Sequence, residues 1–99
     1  MSFNRLMGLM VSDQAIYAQY RAAMAPFLAE YGGAFAYDFT IEQVLQSQTP
    51  EPINRVFMLV FPDQTKHDAF FSDPRYLEVK QTYFSPSVAA VTLLAAFSS

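Results

Sequence analysis

The sequence predicts a single α+β domain with the order strand, helix, strand, strand, helix, strand. The spacing of apolar residues changes from helical in residues 13–31 to alternating in residues 34–46. Two short and almost wholly apolar runs, 55–61 and 87–97, have the length of buried strands. Glycine and proline stand at the junctions between these segments. This order is the split βαβ pattern of a ferredoxin-like fold, with a four-stranded antiparallel sheet and both helical regions on one face.

The first half of the chain contains the longest predicted helix. Residues 3–11 are short and apolar-rich, so they predict a strand, and Ser12 or Asp13 can cap the helix that follows. Within 13–31, apolar side chains recur at helical spacing. They are Ile16, Tyr17, Tyr20, Met24, Phe27, Leu28 and Tyr31. Gly32-Gly33 is expected to end this helix, because glycine adopts the left-handed cap conformation without strain.

The second half of the chain begins with the alternating segment 34–46. This segment predicts a long strand with Phe35, Tyr37 and Phe39 on one face and Asp38 on a more polar face. The remaining segments are a loop at 47–54, a strand at 55–61, helices at 63–72 and 74–84, and a last strand at 87–97. Ser85-Pro86 is expected to stop the last helix.

Composition limits the classes of function that this protein can have. The chain has 99 residues, which is enough for one domain, and its formal net charge of -3 disfavours a nucleic-acid partner. Cysteine is absent, which excludes disulfides, thiolate metal sites and a cysteine nucleophile. The sequence contains no membrane-spanning stretch and no leader-like start, so we expect a cytoplasmic protein.

The two apolar strands also predict the assembly state. Residues 55–61 and 87–97 carry apolar side chains on both faces, whereas helices can cover only one face of the sheet. The chain has almost no spare segment to cover the other face. We therefore expect a homodimer through the sheet face that buries about 1,200–2,000 Å² in total. Since consecutive strand residues point to opposite faces, either Leu93 or Leu94 should lie in the interface.

Three segments carry a resemblance to a known family. They are DQAIYAQYRAAMAPFLAEYGGAF (13–35), INRVFMLVFPD (53–63) and AFFSDPRYLEVK (69–80). Together with the last strand they resemble the small stand-alone proteins of domain-of-unknown-function family 1330, within the dimeric α/β-barrel superfamily. The resemblance implies the ferredoxin-like fold and the dimer. It implies no established reaction and no catalytic residues.

His67 is the only histidine of the chain and the candidate catalytic residue. An unperturbed imidazole side chain has a pKa of about 6.5, which suits a general acid or base. Asp63 lies four residues earlier on the same helical face and is expected to pair with it, whereas the adjacent Asp68 should point elsewhere. The alternative is a half-buried histidine with a structural role. A lone histidine without cysteine is a poor metal site, so we expect no metal.

Four further residues are candidates for substrate binding: Tyr17, Tyr37, Asp38 and Arg55. Tyrosines combine apolar area with one polar tip, and Arg55 can bind a carboxylate with two hydrogen bonds. The alternatives are core packing for the tyrosines, a solvated face for Asp38 and an interface salt bridge for Arg55.

These residues predict a protein that binds a small apolar, aromatic or carbonyl compound between sheet and helices, without a cofactor. The chain lacks the glycine-rich motifs that hold phosphates, which disfavours a nucleotide. One alternative is a cofactor-independent enzyme of the monooxygenase or isomerase type that uses His67, as the superfamily resemblance implies. Another is a structural dimer without a ligand.

Overall fold

The computed structural model describes residues 1–99 and has the predicted order of elements. The strands are β1 (Phe3–Val11), β2 (Ala34–Thr40), β3 (Arg55–Phe61) and β4 (Val88–Ser98). The helices are α1 (Gln14–Glu30), α2 (Gln64–Ser72), α3 (Pro74–Val79) and the single turn α4 (Ser85–Ser87), with a π-helical turn at Lys80–Phe84 between α3 and α4. The α+β prediction is confirmed.

The four strands form one antiparallel sheet in the order β2-β3-β1-β4. This order is that of a ferredoxin-like fold, in which the two central strands come from different halves of the chain. Twelve buried side chains from α1, α2, α3 and the facing side of the sheet form the core. They are Met7, Leu9, Val11, Tyr17, Tyr20, Met24, Leu28, Phe57, Leu59, Phe61, Phe70 and Tyr76. We call the sheet face that these residues cover the helix side and the opposite face the outer face.

The ends of α1 follow the predicted capping residues. The Asp13 side chain accepts a hydrogen bond from the Ile16 backbone N–H at 3.0 Å, which satisfies a donor in the first turn. After Tyr31, Gly32 adopts a φ of 72°, the left-handed conformation that glycine tolerates. A Cβ on Gly33 would collide with the side chains of Leu28 and Phe61, so the entry into β2 runs close against the core.

The last helical region is longer than predicted. The prediction that Ser85-Pro86 stops it is wrong, because helical backbone continues through the π-helical turn to Ser87. Proline inside a helix lacks an N–H and crowds the carbonyl one turn earlier. The π-helical turn immediately before α4 has a wider backbone, and we attribute the tolerance of Pro86 to that widening.

The second strand is shorter than predicted, and its faces differ from the predicted ones. It ends at Thr40, not at residue 46, because its partner β3 begins at Arg55 and leaves the following residues without a ladder. A β-bulge at Ala36 then shifts the alternation: Phe35 pairs with Leu59, but Tyr37 pairs with Met58. One extra residue in one strand moves every later side chain to the other face.

The bulge therefore separates residues that simple alternation groups together. Phe35 and Asp38 lie opposite the core residues Leu59 and Phe57, on the helix side. Tyr37 and Phe39 lie on the outer face, where they are 56% and 53% exposed.

The outer face is partly covered by the loop at residues 41–54. Ile53 packs directly against Gly8 of β1, where an added Cβ would lie 2.8 Å from the Ile53 Cδ1 atom. The expectation that no segment was available to cover this face is therefore wrong. The covering is incomplete, because Tyr37, Phe39 and Phe97 remain exposed.

The predicted alternation at Leu93 and Leu94 does not hold either. A register shift falls in β4 at this point: Leu93 pairs with Met7 and Ala95 with Leu6, so that Leu94 has no partner. Both leucines are exposed, at 54% and 43%. Strict alternation therefore does not assign one of these two leucines to the interface.

Candidate functional site

A cavity of about 150 Å³ lies between the sheet and the helices. This volume is similar to that of protein cavities that admit one benzene ring. Twelve of its fourteen lining residues are hydrophobic. The lining consists of Arg5, Met7, Leu9, Tyr17, Tyr20, Met24, Phe35, Phe57, Leu59, Phe71, Tyr76, Lys80, Phe84 and Val91. The cavity is thus apolar with a few polar groups, which is the usual character of a small-molecule site.

Helix α1 supplies Tyr17 and Tyr20 to one side of the cavity. The Tyr20 hydroxyl lies 2.9 Å from the hydroxyl of Tyr76 on α3, and the two share a hydrogen bond. Burial raises the pKa of Tyr20, and it also raises that of Tyr76. Both phenols therefore stay protonated near neutral pH, and only one of their two protons is used in the shared bond.

Arg5 brings a positive charge from β1 into the apolar lining. Its guanidinium carbon lies 5.2 Å from the centre of the Phe71 ring, and its Nη1 atom donates to Nε2 of His67 at 3.2 Å. Because a guanidinium group can only donate, Nε2 of His67 must accept and carries no proton. The other ring nitrogen, Nδ1, then carries the proton and donates to Oδ1 of Asp68 at 2.8 Å. The contacts thus describe a neutral imidazole between Asp68 and Arg5.

His67 is buried but does not line the cavity. Its ring packs among Phe3, Phe61 and Phe71, with centroid distances of 4.8, 5.3 and 4.8 Å. Arg5 and Phe71, which do line the cavity, stand between His67 and that space.

The expected Asp63–His67 pair does not form. Asp63 is the N-cap of α2 and accepts the Lys66 backbone N–H at 2.8 Å. The exposed Asp68 side chain reaches His67 instead, although adjacent helical residues do not usually face each other.

Asp38 and Arg55 come together on the helix side, where Arg21 of α1 joins them. Arg55 donates from Nε to Oδ1 of Asp38 at 2.8 Å and from Nη2 to Oδ2 at 2.9 Å. Arg21 donates to the same Oδ2 at 2.6 Å and to the Tyr17 hydroxyl at 2.9 Å. The hydrogen bonds from Arg55 and the charge of Arg21 hold the pKa of Asp38 below its usual range. The carboxylate that Arg55 binds therefore belongs to its own chain.

This cluster of Arg21, Asp38 and Arg55 supports the cavity wall from behind. The guanidinium carbon of Arg21 lies 3.5 Å from the centre of the Phe35 ring, and that of Arg55 lies 5.1 Å from the Tyr17 ring. Phe35 and Tyr17 line the cavity, whereas the three charged residues do not. Of the four predicted binding residues, only Tyr17 contributes directly to the lining.

Tyr37 is not near the cavity. The bulge at Ala36 turns it to the outer face, where its ring lies 5.9 Å from that of Phe39.

Sequence reasoning missed the polar groups that do line the cavity: Arg5, Lys80, Tyr20 and Tyr76. A signal for Arg5 was available, since it occupies the same alternating positions of β1 as Met7 and Leu9. A charged residue among core-facing positions is unusual and points to a site. The position of Lys80 in the lining depends on the π-helical turn at Lys80–Phe84, and the sequence does not reveal this turn.

No three histidine, cysteine, aspartate or glutamate side chains lie together in a way that would hold a metal ion. None of the helices combines the length and the apolar character that a bilayer crossing demands.

A family model for DUF1330, described as a domain of unknown function, matches residues 6–97. The chain belongs to the DUF1330 family. The resemblance noted in the sequence is thereby confirmed, and it covers nearly the whole of this DUF1330 chain. None of the curated proteins matches it.

Solved structures share the fold at low sequence identity. A protein of unknown function from Rhodopseudomonas palustris has a TM-score of 0.82 at 18% identity, covering 97% of this chain and 80% of its own. A dimeric ferredoxin-like protein of unknown function from Jannaschia sp. CCS1 has a TM-score of 0.60 at 14% identity, with 100% of both chains covered. Hydroxynitrile lyase from Passiflora edulis has a TM-score of 0.69 at 13% identity, covering 98% of this chain and 94% of the lyase. At these sequence identities the similarity shows a shared fold and nothing more.

Proposed function

We propose that this DUF1330 protein binds a small aromatic or carbonyl compound in the cavity between its sheet and its helices. The observation that carries the proposal is the cavity of about 150 Å³, in which apolar walls surround a few polar groups. The apolar walls suit one aromatic ring or a short aliphatic chain. The hydroxyls of Tyr20 and Tyr76 offer a proton to a carbonyl oxygen.

A substitution that fills the cavity tests this function. Val91 lines the cavity from β4 and is 48% exposed, so Val91→Trp adds volume there without placing a large ring in the closed core. Leu77→Trp is the matched control, because Leu77 is 45% exposed on α3 and does not line the cavity. Saturation-transfer NMR with benzaldehyde and acetophenone should give signals for the wild type and Leu77→Trp. Val91→Trp should lose most of the signal.

Two outcomes would contradict the binding function. One is the absence of saturation transfer to either compound in the wild type, which would favour a structural dimer without a ligand. The other is equal transfer in both tryptophan variants, which would mean that the compounds bind elsewhere on the surface.

We also propose that the protein acts as a homodimer whose two sheets pack through their outer faces. Three large apolar side chains remain exposed on this face beside the covering loop: Tyr37, Phe39 and Phe97. Large apolar side chains left exposed on one sheet face commonly mark an interface. The Jannaschia protein of the same fold is described as dimeric, which is consistent with this assembly.

A second candidate function is cofactor-independent catalysis with His67 as general acid or base. The hydrogen-bonded chain from Asp68 through His67 to Arg5 favours it, because the chain ends at a cavity-lining residue. His67 exchanges a proton with a ligand only if the ligand displaces Arg5 from Nε2. In ¹⁵N NMR, catalysis requires the Nε2 signal of this single histidine to move when benzaldehyde is added. An unchanged signal at saturating ligand leaves His67 the role of holding Arg5.

A further inference from the structure

The arginines of this protein differ in one respect that bears on the ligand. Arg21 and Arg55 both pair with Asp38, and Arg75 pairs with Asp73 and Glu30. Arg5 has no carboxylate partner. Its single side-chain hydrogen bond goes to the neutral nitrogen of His67, although a guanidinium group has five N–H donors.

The surroundings of Arg5 make the missing carboxylate more significant. Arg5 is half-buried, and its neighbours in the cavity lining are apolar and aromatic side chains. The only other charged residue of the lining is Lys80, which is also positive. A partly desolvated positive charge without a counter-ion is unfavourable. The cavity therefore has an excess of positive charge within a protein whose net charge is -3.

The orientation of Arg5 is fixed from behind. His67 accepts from Nη1, and Asp68 holds the proton of His67 on the opposite ring nitrogen, so Nε2 remains an acceptor. The Phe71 ring lies against the guanidinium group. A guanidinium held in this way retains free N–H groups for a planar anion, and arginine binds carboxylates with two parallel hydrogen bonds.

We infer that the ligand of this cavity is a small aromatic carboxylate whose carboxylate pairs with Arg5 and whose ring lies among the apolar walls. The inference rests on the proposed binding function and adds the charge of the ligand to it. Lys80 contributes a second positive charge, and the Tyr20–Tyr76 pair has one proton left to donate to a carboxylate oxygen. Residues His67 and Asp68 are positioning residues, since they act through Arg5.

The test compares benzoate with benzamide, a neutral molecule of nearly the same shape, by NMR titration at pH 7 and low salt. Wild-type protein should bind benzoate at least about tenfold more tightly than benzamide, because hydrogen bonds to charged groups contribute more than neutral ones. Arg5→Met keeps most of the side-chain volume and removes the charge. It should lower benzoate affinity about tenfold or more and leave benzamide affinity within about twofold.

Two further variants separate the guanidinium group from general charge. Lys66→Met removes one positive charge from an exposed position outside the cavity, so benzoate affinity should stay within about twofold of wild type. Arg5→Lys keeps the charge but loses the planar pair of donors, and its benzoate affinity should lie between those of wild type and Arg5→Met.

The outcomes distinguish this inference from the binding function on which it rests. If benzaldehyde and benzamide bind but benzoate binds no more tightly, the cavity is a binding site and the carboxylate inference is overturned. If benzoate affinity falls equally in Arg5→Met and Lys66→Met, Arg5 is not the anion partner. If none of the aromatic compounds binds, the binding function itself fails. The wild-type ratio of benzoate to benzamide needs no variant, so poor folding of Arg5→Met leaves the test decisive.

Discussion

Asp73 accepts hydrogen bonds from side chains that lie far apart in the sequence. The Tyr31 hydroxyl, just beyond the end of α1, donates to its Oδ2 at 2.7 Å, and Arg75 Nη2 donates to the same oxygen at 2.8 Å. Its other oxygen caps α3 by accepting the Arg75 backbone N–H at 2.8 Å. These donors, Arg75 first and Tyr31 next, hold the pKa of Asp73 well below its usual range. One carboxylate thus joins the end of α1 to the start of α3.

Asp73 predicts a specific acid sensitivity. A carboxyl whose folded pKa is depressed stabilises the protein above its unfolded pKa of about 3.9 and loses this contribution as pH falls towards the folded value. Asp38 has a depressed pKa as well, so the wild-type free energy of unfolding should fall below about pH 4. Asp73→Asn should be less stable than wild type at pH 7, and the difference should shrink towards pH 2.

Urea unfolding at several pH values measures this difference, with Glu42→Gln as the control. Glu42 is exposed in the loop and forms no ion pair. A constant gap between Asp73→Asn and wild type from pH 7 to pH 2 would mean that the charge of Asp73 does not stabilise the fold.

At the level of the elements, helices were easier to predict than strand faces. The start of α1 depends on local chemistry at Asp13 and its end on Gly32, and both residues are visible in the sequence. The face on which a strand residue lies follows from alternation, and each bulge earlier in the strand reverses that alternation. The bulge at Ala36 arises from the register between β2 and β3, and the sequence of β2 alone does not specify that register. Asp38 and Tyr37 were therefore assigned to the wrong faces.

The same limit explains the candidate site. Tyr17 lines the cavity, and its position was accessible from the sequence because it belongs to the apolar stripe of a helix whose period is regular. The pairing of His67 with Asp68 and Arg5 depends on two features of the folded chain. Asp63 is occupied in capping α2, and β1 brings Arg5 to the His67 ring. Spacing along one helix gives no access to contacts between elements.

Substitution by alanine should have unequal effects at Gly33, between α1 and β2, and at Gly8 in β1. Gly33→Ala places a methyl group 2.8 Å from Cε1 of Phe61 and still closer to Leu28, both within the packed core. It should lower the free energy of unfolding by about 1–3 kcal/mol, the usual cost of overpacking. Gly8→Ala meets only the Ile53 side chain, with Cδ1 at 2.8 Å and the two γ carbons at 3.2 and 3.3 Å. Ile53 comes from a loop and can shift as a whole, so the loss should be smaller than for Gly33→Ala. Chemical denaturation of both variants measures the difference, and an equal loss would contradict the packing account.

On the scale of the whole molecule, the proposed dimer interface lies on the outer face of the sheet. The proposed dimer predicts a particle of about twice the 11.2 kDa chain in light scattering at micromolar concentration. Phe39→Glu should dissociate it without unfolding the monomer, since Phe39 lies on the outer face and is 53% exposed. Leu77→Glu, a charge at a 45% exposed position on α3, should remain dimeric. A wild-type particle of 11.2 kDa, or a dimer that survives Phe39→Glu, would exclude this interface.

Because of the bulge in β2, Ala36 has no pairing partner in β3. Phe35 and Tyr37 already pair with neighbouring residues of β3, so a chain that lacks Ala36 can form the same ladder as a regular strand. Loss of Phe39 from the regular part of β2 would instead turn Thr40 outward and break its pairing with Arg55. A strand with one bulge therefore tolerates the loss of a residue at the bulge but not at the regularly paired positions beside it. In this protein, an in-frame deletion of the codon for Ala36 should leave the sheet intact. Deletion of the codon for Phe39, three residues later, should disrupt it.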